Sequence, residues 1–183
     1  NSRDLCMIEY IPQLVESGLA SLKIEGRMKS IFYVATIIAA YRKAIDAYYE
    51  DPKGYVFKQE WMDEMKKVSH REFTTGFYFN NPTNKDQNYR TSAYTRDYTF
   101  TGLVKEYNPD TGYAIVEQRN KMVLGDEIEV FGPGKDFFVQ KLNEMYDEEG
   151  NAISQAPHPQ QILKIKMDYP VDENFMLRKK KEK

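Results

Sequence analysis

Three charged residues alternate along one short segment of the chain, at Lys23, Glu25 and Arg27. Alternate residues of a strand project from the same face, and a helix is predicted to begin close by, near Ser30. Proteins with β/α repeats place ligand sites where the carboxyl end of a strand meets the N-terminus of a helix. Glu25 would then act as an acid or a base and Arg27 would bind an anion. The alternative is a structural ion pair at the rim of a barrel.

Cys6 is the single cysteine, which excludes a disulfide framework and any metal site built from several cysteines of this chain. A thiol near the start of a helix has a lowered pKa, which favours metal binding or nucleophilic attack. The alternative is an inert, small apolar residue. His70 and His158 form no metal motif with nearby residues, and the sequence has neither an HExxH motif nor a Ser/His/Asp or Cys/His arrangement.

The charge distribution predicts where nucleic acid would bind. The net charge is -2, but residues 96–177 carry 8 basic and 15 acidic residues, whereas residues 178–183 carry 5 basic and 1 acidic. An acidic surface binds phosphate poorly, because affinity for nucleic acid depends largely on cations. We therefore expect any RNA or partner contact from the middle region and the basic tail, at Arg71, Arg90, Arg178, Lys179 and Lys180. The alternative for the tail is a solvated, frayed terminus.

Several tyrosines follow one another in the middle of the chain, at Tyr78, Tyr89, Tyr94 and Tyr98. Such side chains stack on bases in proteins that bind single strands. They would equally serve to cover a seam between a linker and a domain, and the sequence alone leaves both interpretations open.

The first third of the chain has the period of a β/α repeat. Residues 4–17 predict a short amphipathic helix, residues 19–25 a strand, and residues 30–51 a long helix with Ser30 as its N-cap. The predicted apolar face of the long helix comprises Ile31, Val34, Ala35, Ile38, Tyr41, Ile45 and Tyr48. One strand cannot form a sheet alone. Residues 1–52 therefore need a missing partner, and since the chain begins at Asn1 we expect a fragment.

The remaining residues predict three further regions. Residues 53–97 have many turn formers and one helical stretch, 61–68, and are interpreted as a linker. Residues 98–177 predict six short strands, which favour a small closed or nearly closed antiparallel β-barrel. These strand candidates are 98–107, 113–119, 126–131, 136–146, 151–155 and 161–167. Residues 178–183 form the basic tail.

Composition excludes two classes of protein. With 41% hydrophobic and 30% charged residues the chain is not disordered throughout. No apolar run approaches the roughly 18–20 residues that a membrane-spanning helix needs. We therefore expect no membrane contact, and the single cysteine without a secretory signal favours the cytoplasm.

Several motifs resemble peptidase family U32, the collagenase-like peptidases. They are residues 1–6 (NSRDLC), residues 21–30 (SLKIEGRMKS), residues 33–35 (YVA) and residues 41–46 (YRKAID). Residues 125–130 (GDEIEV) and 156–159 (APHP) are similar to the C-terminal domain of the same family. The resemblance covers nearly the whole chain, and the SLKIEGRMKS segment is its most specific part.

This resemblance implies an α+β fragment. Residues 1–52 would be the last β/α portion of a TIM-like barrel, and residues 98–177 a small barrel similar to the second domains of translation factors. Several family members hold a four-iron four-sulfur cluster, and Cys6 would match its last ligand. Such a cluster needs four thiolates, so we expect no cofactor in this fragment and a cluster only in the full-length protein.

The resemblance also implies a function, with alternatives. The chain is most similar to members linked to tRNA hydroxylation, in which the protein helps to form 5-hydroxyuridine at the wobble position. Lys23, Glu25 and Arg27 would line the mouth of the active face, although the fragment alone is expected to be inactive. The partners implied are the missing N-terminal barrel, tRNA and a paralogous family member. The alternatives are a peptidase that acts on collagen-like polypeptide and a non-catalytic binding module.

Overall fold

The computed structural model describes residues 1–81, 83–84, 87–89 and 93–181. The chain forms two compact units, Asn1–Asp97 (unit 1) and Tyr98–Lys183 (unit 2). Residues 53–97, predicted as a linker, belong to the same compact unit as residues 1–52. Within the described residues, no helix is both long enough and apolar enough to cross a membrane.

The start of unit 1 is less helical than its sequence predicts. A strand, β1 (Asp4–Leu5), is followed by a 3-10 turn (Ile8–Tyr10) and a short helix, α1 (Ile11–Glu16). β1 lies parallel to β2 (Phe73–Thr74), and the backbone N–H of Cys6 donates to the carbonyl of Thr74 over 2.9 Å. The predicted helix from residue 4 is therefore wrong in its first part, because long-range pairing takes these backbone groups.

The long helix α2 (Ile31–Glu50) confirms its prediction, including the cap, since the Ser30 hydroxyl accepts from the backbone N–H of Tyr33 over 3.2 Å. Its buried face differs from the predicted one. The predicted face included Ile31 and Ile38, which are 49% and 48% exposed. The residues that are buried are Phe32, Thr36, Ile37, Ala40, Ala44 and Tyr48. The helix is therefore apolar on two sides, and only one of them is covered within unit 1.

The predicted strand over residues 19–25 is absent. Residues 21–26 form no regular element, and no described segment pairs with them. A strand needs a neighbouring strand to satisfy its backbone groups. In unit 1, β1 and β2 pair with each other, so neither of them pairs with residues 21–26.

The third helix, α3 (Gln59–Lys66), agrees with the helical stretch predicted for residues 61–68 and buries Trp61, Met62 and Met65.

Unit 2 is a curled antiparallel sheet that forms a half-barrel. Its strands are β3 (Tyr98–Asn108), β4 (Tyr113–Gln118), β6 (Glu127–Phe131), β7 (Phe138–Lys141), β8 (Met145–Tyr146), β10 (Ile162–Lys166) and β11 (Met176–Lys180), in the order β7-β6-β11-β3-β4-β10-β8. β5 (Met122–Val123) and β9 (Gln155–Ala156) pair separately. Inward side chains such as Val116, Ile128 and Leu163 form the core.

Most of the predicted strands of unit 2 are present, with three differences. The predicted strand 151–155 is mostly absent, since of these residues only Gln155 lies in a strand, β9. The predicted strand 136–146 is broken into β7 and β8. The predicted tail is wrong for residues 178–180, because β11 lies between β3 and β6 and pairs with both. The basic residues of this segment therefore lie within the sheet, where their backbone hydrogen bonds hold them.

Candidate functional site

The three alternating charged residues lie on a loop that leads into α2. Lys23, Glu25 and Arg27 are all exposed. The Glu25 carboxylate accepts a hydrogen bond from the backbone N–H of Arg27 over 3.1 Å. This bond turns the chain before Ser30 and leaves a carboxylate and a guanidinium on the same solvent-facing loop. The arrangement can bind an anion and exchange a proton, but the strand that was predicted to position it is not formed.

A cluster of cations and tyrosines follows this loop directly. The Lys29 ammonium lies 3.7 Å from the centre of the Tyr94 ring and 5.1 Å from that of Tyr33. The same ammonium donates to the backbone carbonyl of Ser69 over 3.4 Å. The guanidinium carbon of Arg71 lies 5.5 Å from the Tyr94 ring. Attraction between cations and ring faces therefore ties the loop before α2 to residues 69–71 and Tyr94.

Arg71 also forms a partly buried ion pair with Asp4. Its Nε donates to Asp4 Oδ1 over 2.9 Å, and its backbone N–H donates to Asp4 Oδ2 over 2.9 Å. Both side chains are only about one fifth exposed. Two donors on one carboxylate fix its geometry. Arg71, predicted as an RNA or partner contact, thus serves to position β1, because its guanidinium already binds Asp4.

Cys6 is buried beside Tyr41. The backbone N–H of Met7 donates to the Tyr41 hydroxyl over 2.9 Å, and this hydroxyl lies 4.0 Å from the Cys6 sulfur as a weak donor. Burial raises the pKa of the Cys6 thiol, and burial likewise raises the pKa of Tyr41. The activated thiol expected at a helix start is therefore not present: Cys6 precedes the 3-10 turn and lies in an apolar environment.

The structure thus gathers residues of separate motifs in unit 1. Burial raises the pKa of Tyr33, and the nearby Asp4 carboxylate adds to the same shift. We name Asp4, Cys6, Lys29, Tyr33, Tyr41, Arg71 and Tyr94 the motif cluster. Sequence reasoning singled out only Cys6, Arg71 and Tyr94 among them. The others could have been found because the motifs 1–6, 21–30, 33–35 and 41–46 contain them.

The remaining predicted contact residues have different surroundings. Arg90 lies outside the described residues. Arg178 is fully buried, so the prediction that it contacts RNA or a partner is wrong in this fold. Lys179 is partly buried and its ammonium lies 2.6 Å from Asp126, whereas Lys180 is exposed. The basic segment is therefore partly neutralised by the acidic strand next to it.

Neither His70 nor His158 lies in an arrangement typical of a catalytic histidine. The ring of His70 is bonded through Nδ1 to the carbonyl of Val68 over 2.8 Å and stacks on Phe73 at 4.9 Å between ring centres. His158 is exposed. Within the described part of the chain, no group of three or more His, Cys, Asp or Glu side chains can hold a metal ion.

Comparison with known proteins gives the family. Residues 1–88 match the family described as peptidase family U32, and residues 96–178 match the peptidase family U32 C-terminal domain. The chain is 44% identical over 179 residues to tRNA hydroxylation protein P1 of Bacillus subtilis, covering 98% of this chain and 42% of that protein. It is 32% identical to tRNA hydroxylation protein P of Escherichia coli, covering 97% and 38%. It is 29% identical to a collagenase of Porphyromonas gingivalis, covering 78% and 40%.

One solved structure is also similar in sequence to part of the chain. The C-terminal domain of a U32 peptidase from Geobacillus thermoleovorans is 46% identical, with 44% of this chain and 99% of that chain covered and a TM-score of 0.43. The chain spans about two fifths of the length of the curated relatives named here. The two matched segments and the sequence identities show that the chain belongs to peptidase family U32.

Proposed function

We propose that the whole protein acts in the hydroxylation of tRNA, forming 5-hydroxyuridine at the wobble position. The observation that best supports this proposal is the similarity to tRNA hydroxylation protein P1 of Bacillus subtilis. The two sequences are 44% identical, and the match covers 98% of this chain. The similarity to the collagenase is lower and covers less of the chain, with 29% identity over 78%. The likeness to the tRNA hydroxylation protein therefore includes both units.

The proposed architecture of the whole protein has residues 1–52 as the last portion of a TIM-like barrel. Two features of unit 1 support it. The sequence of residues 21–26 has the alternating pattern of a strand, but these residues have no strand partner in the described part of the chain. One side of α2 and the loop before it also expose large apolar side chains, which are Leu19, Leu22, Met28, Ile31, Ile38 and Tyr49. A preceding barrel would pair the strand and cover these side chains.

The proposed active face includes the loop of Lys23, Glu25 and Arg27. Its exposed carboxylate is suited to accept or return a proton, and its guanidinium to bind a phosphate of the substrate. The motif cluster beneath the loop fixes its end, because Lys29 is held by Ser69 and by two tyrosine rings. In this proposal Glu25 and Arg27 contact the substrate, and Lys29 positions them.

The residues of this chain do not by themselves fit a four-iron four-sulfur cluster. The cluster is held by four thiolates, and this chain has one cysteine. Burial raises the pKa of that thiol, which disfavours the thiolate form that binds iron. The iron content of the full-length protein with and without Cys6→Ala shows whether Cys6 is one ligand among others.

Unit 2 is proposed to position the RNA or a paralogous partner. Residues 96–177 carry 8 basic and 15 acidic residues, which argues against a broad phosphate-binding surface on this unit. Lys180 remains the exposed basic residue of β11. The RNA contacts are therefore assigned mainly to unit 1, and the cellular site to the cytoplasm, where tRNA is modified.

A second candidate is a peptidase acting on collagen-like polypeptide, which the collagenase similarity favours. It predicts hydrolysis of a collagen-like peptide by the full-length protein. The two candidates are separated by the tRNA nucleosides of cells with and without the full-length gene. We expect 5-hydroxyuridine and its derivatives to disappear without the gene. Unchanged nucleosides in a strain without a redundant homologue would favour the peptidase.

A further inference from the structure

Unit 1 contains an open cavity of about 750 Å³ that the functional argument above does not use. Its walls come from the first residues of the chain around Arg3 and Leu5, from the turn that follows β2, and from Thr83, Asn84, Gln87 and Tyr89. The volume is within the range of roughly 300–1,000 Å³ typical of small-molecule sites. The cavity is therefore large enough for an aromatic ligand group.

Three aromatic side chains line this cavity and remain largely exposed. Phe77 is 80% exposed, Tyr78 57% and Tyr89 72%. Large exposed apolar groups that lie close together usually mark a binding surface. Tyr94 differs from them, because Lys29 lies against its ring. Of the tyrosines that suggested base stacking from the sequence, Tyr78 and Tyr89 are thus the ones with accessible rings on this cavity.

Polar groups lie beside the aromatic rings. Arg3 lines the cavity, and its Nη2 lies 3.0 Å from the Glu72 carboxylate. Its Nε is buried without a hydrogen-bond partner in the described part of the chain. Asn84 and Gln87, whose side chains carry amide groups, also line the cavity. The wall therefore offers a partly exposed guanidinium, which is paired with Glu72, and amides that both donate and accept.

We propose that this cavity, the aromatic cavity, binds one unstacked base of a single-stranded RNA. Every base offers a flat face to Tyr89 and Phe77, and its edge carries carbonyl and amino groups that match Arg3 and the amides. A proline ring fits an aromatic wall but offers no comparable edge. The inference rests on the proposed function for the identity of the RNA, since the wobble position lies in the unpaired anticodon loop.

The test measures RNA binding by the full-length protein. The probe is a tRNA anticodon stem–loop with 2-aminopurine placed at one loop position at a time, because the fluorescence of this base falls when it stacks. We expect quenching at one position and a loss of affinity of about 5- to 150-fold for Tyr89→Ala, which is the stacking contribution of one base. Tyr89→Phe retains the ring and should bind as the wild type does.

Tyr169→Ala is the matched control, because Tyr169 of unit 2 is 60% exposed and is not among the residues that line the cavity. The salt dependence of binding should be the same for Tyr89→Ala and wild type, since phosphate contacts set its slope. Wild-type affinity of Tyr89→Ala would overturn the proposal. Displacement of the RNA by a proline-rich collagen-like peptide, lost in Tyr89→Ala, would instead assign the cavity to polypeptide.

The two failures are distinguishable. If the tRNA nucleosides do not depend on the gene but Tyr89→Ala weakens RNA binding, then the proposed function is wrong and the base site stands. If the nucleosides depend on the gene and Tyr89→Ala binds RNA normally, then the base site is wrong and the proposed function stands.

Discussion

The guanidinium of Arg178 is fully buried inside unit 2 and donates through Nε and Nη2 to the same oxygen of Glu129, both over 2.7 Å. The other oxygen of Glu129 accepts from the Tyr98 hydroxyl over 3.1 Å. The guanidinium carbon also lies 4.4 Å from the centre of the Phe131 ring. Arg178 on β11 therefore binds the neighbouring strand β6 through an ion pair with Glu129 and a cation–π contact with Phe131.

Arg178→Met is expected to destabilise unit 2 by about 3–5 kcal/mol, because it leaves the carboxylate of Glu129 without its cation in a mostly buried place. Urea unfolding followed by circular dichroism measures the loss. Lys180→Met is the matched control, since Lys180 is exposed on the same strand and should change stability by less than about 0.5 kcal/mol.

The pair itself is tested by the double variant Arg178→Met/Glu129→Gln. It should be more stable than Arg178→Met alone, because no unpaired charge remains buried. Equal losses in the single and double variants would show that Arg178 stabilises the sheet through packing alone.

Tyr113 provides a pH-dependent prediction. Its hydroxyl donates to Glu144 over 2.8 Å, and this hydrogen bond, with burial as the next cause, raises the pKa of Tyr113 to about 12. The contribution to stability is therefore complete below the ordinary value of 10 and is lost as the pH rises toward about 12. Ultraviolet difference spectra of wild type against Tyr113→Phe isolate this phenol. Glu144→Gln should lower its pKa, and an unchanged titration would contradict the assignment.

Cys6 is predicted to react slowly with thiol reagents in the folded chain. Burial raises the pKa of its thiol, so the thiolate fraction at neutral pH is smaller than for an exposed cysteine. Labelling with a chromogenic disulfide should be slow in buffer and fast in urea. Ser2→Cys in a Cys6→Ala background is the positive control, because Ser2 is exposed. Equal rates for the two cysteines in buffer would refute the burial of Cys6.

Local sequence signals predicted α2 and the main strands of unit 2 because the information is contained within each segment. Ser30 caps a continuous helical pattern, and β3 and β4 alternate across the tight turn around Gly112. β1 and β11 were not predictable in this way. Asp4 pairs with Phe73, and Arg178 pairs with Phe100 and Glu129. These pairings depend on residues distant in sequence, and a run of basic residues is typical of a tail.

The candidate site shows the same division. The alternating charges identified Lys23, Glu25 and Arg27, whose exposure on a loop agrees with a surface role. The neighbouring Lys29 was missed, because its contacts with Tyr94 and Ser69 come from distant parts of the chain. The two-sided apolar character of α2 was also missed, since a helical period identifies one stripe and does not say which side is covered.

The loop of Glu25 and Arg27 is predicted to act in the reaction and not in folding. Glu25→Gln and Arg27→Met should each leave unfolding in urea unchanged within about 0.5 kcal/mol, because both side chains are exposed. Each should lower the 5-hydroxyuridine content of tRNA when the full-length variant replaces the wild-type gene. Glu148→Gln, an exposed carboxylate of unit 2, is the control and should retain it. Normal nucleoside content in both loop variants would remove this loop from the active face.

The most direct test of the central claim is mass spectrometry of tRNA nucleosides from cells that carry, lack or regain the full-length gene. The strain must lack redundant family members, because tRNA hydroxylation proteins P1 and P2 both exist in Bacillus subtilis. We predict that 5-hydroxyuridine and its derivatives disappear without the gene and return when it is restored. Identical nucleosides in all three strains, with cleavage of a collagen-like peptide by the purified protein, would contradict the account.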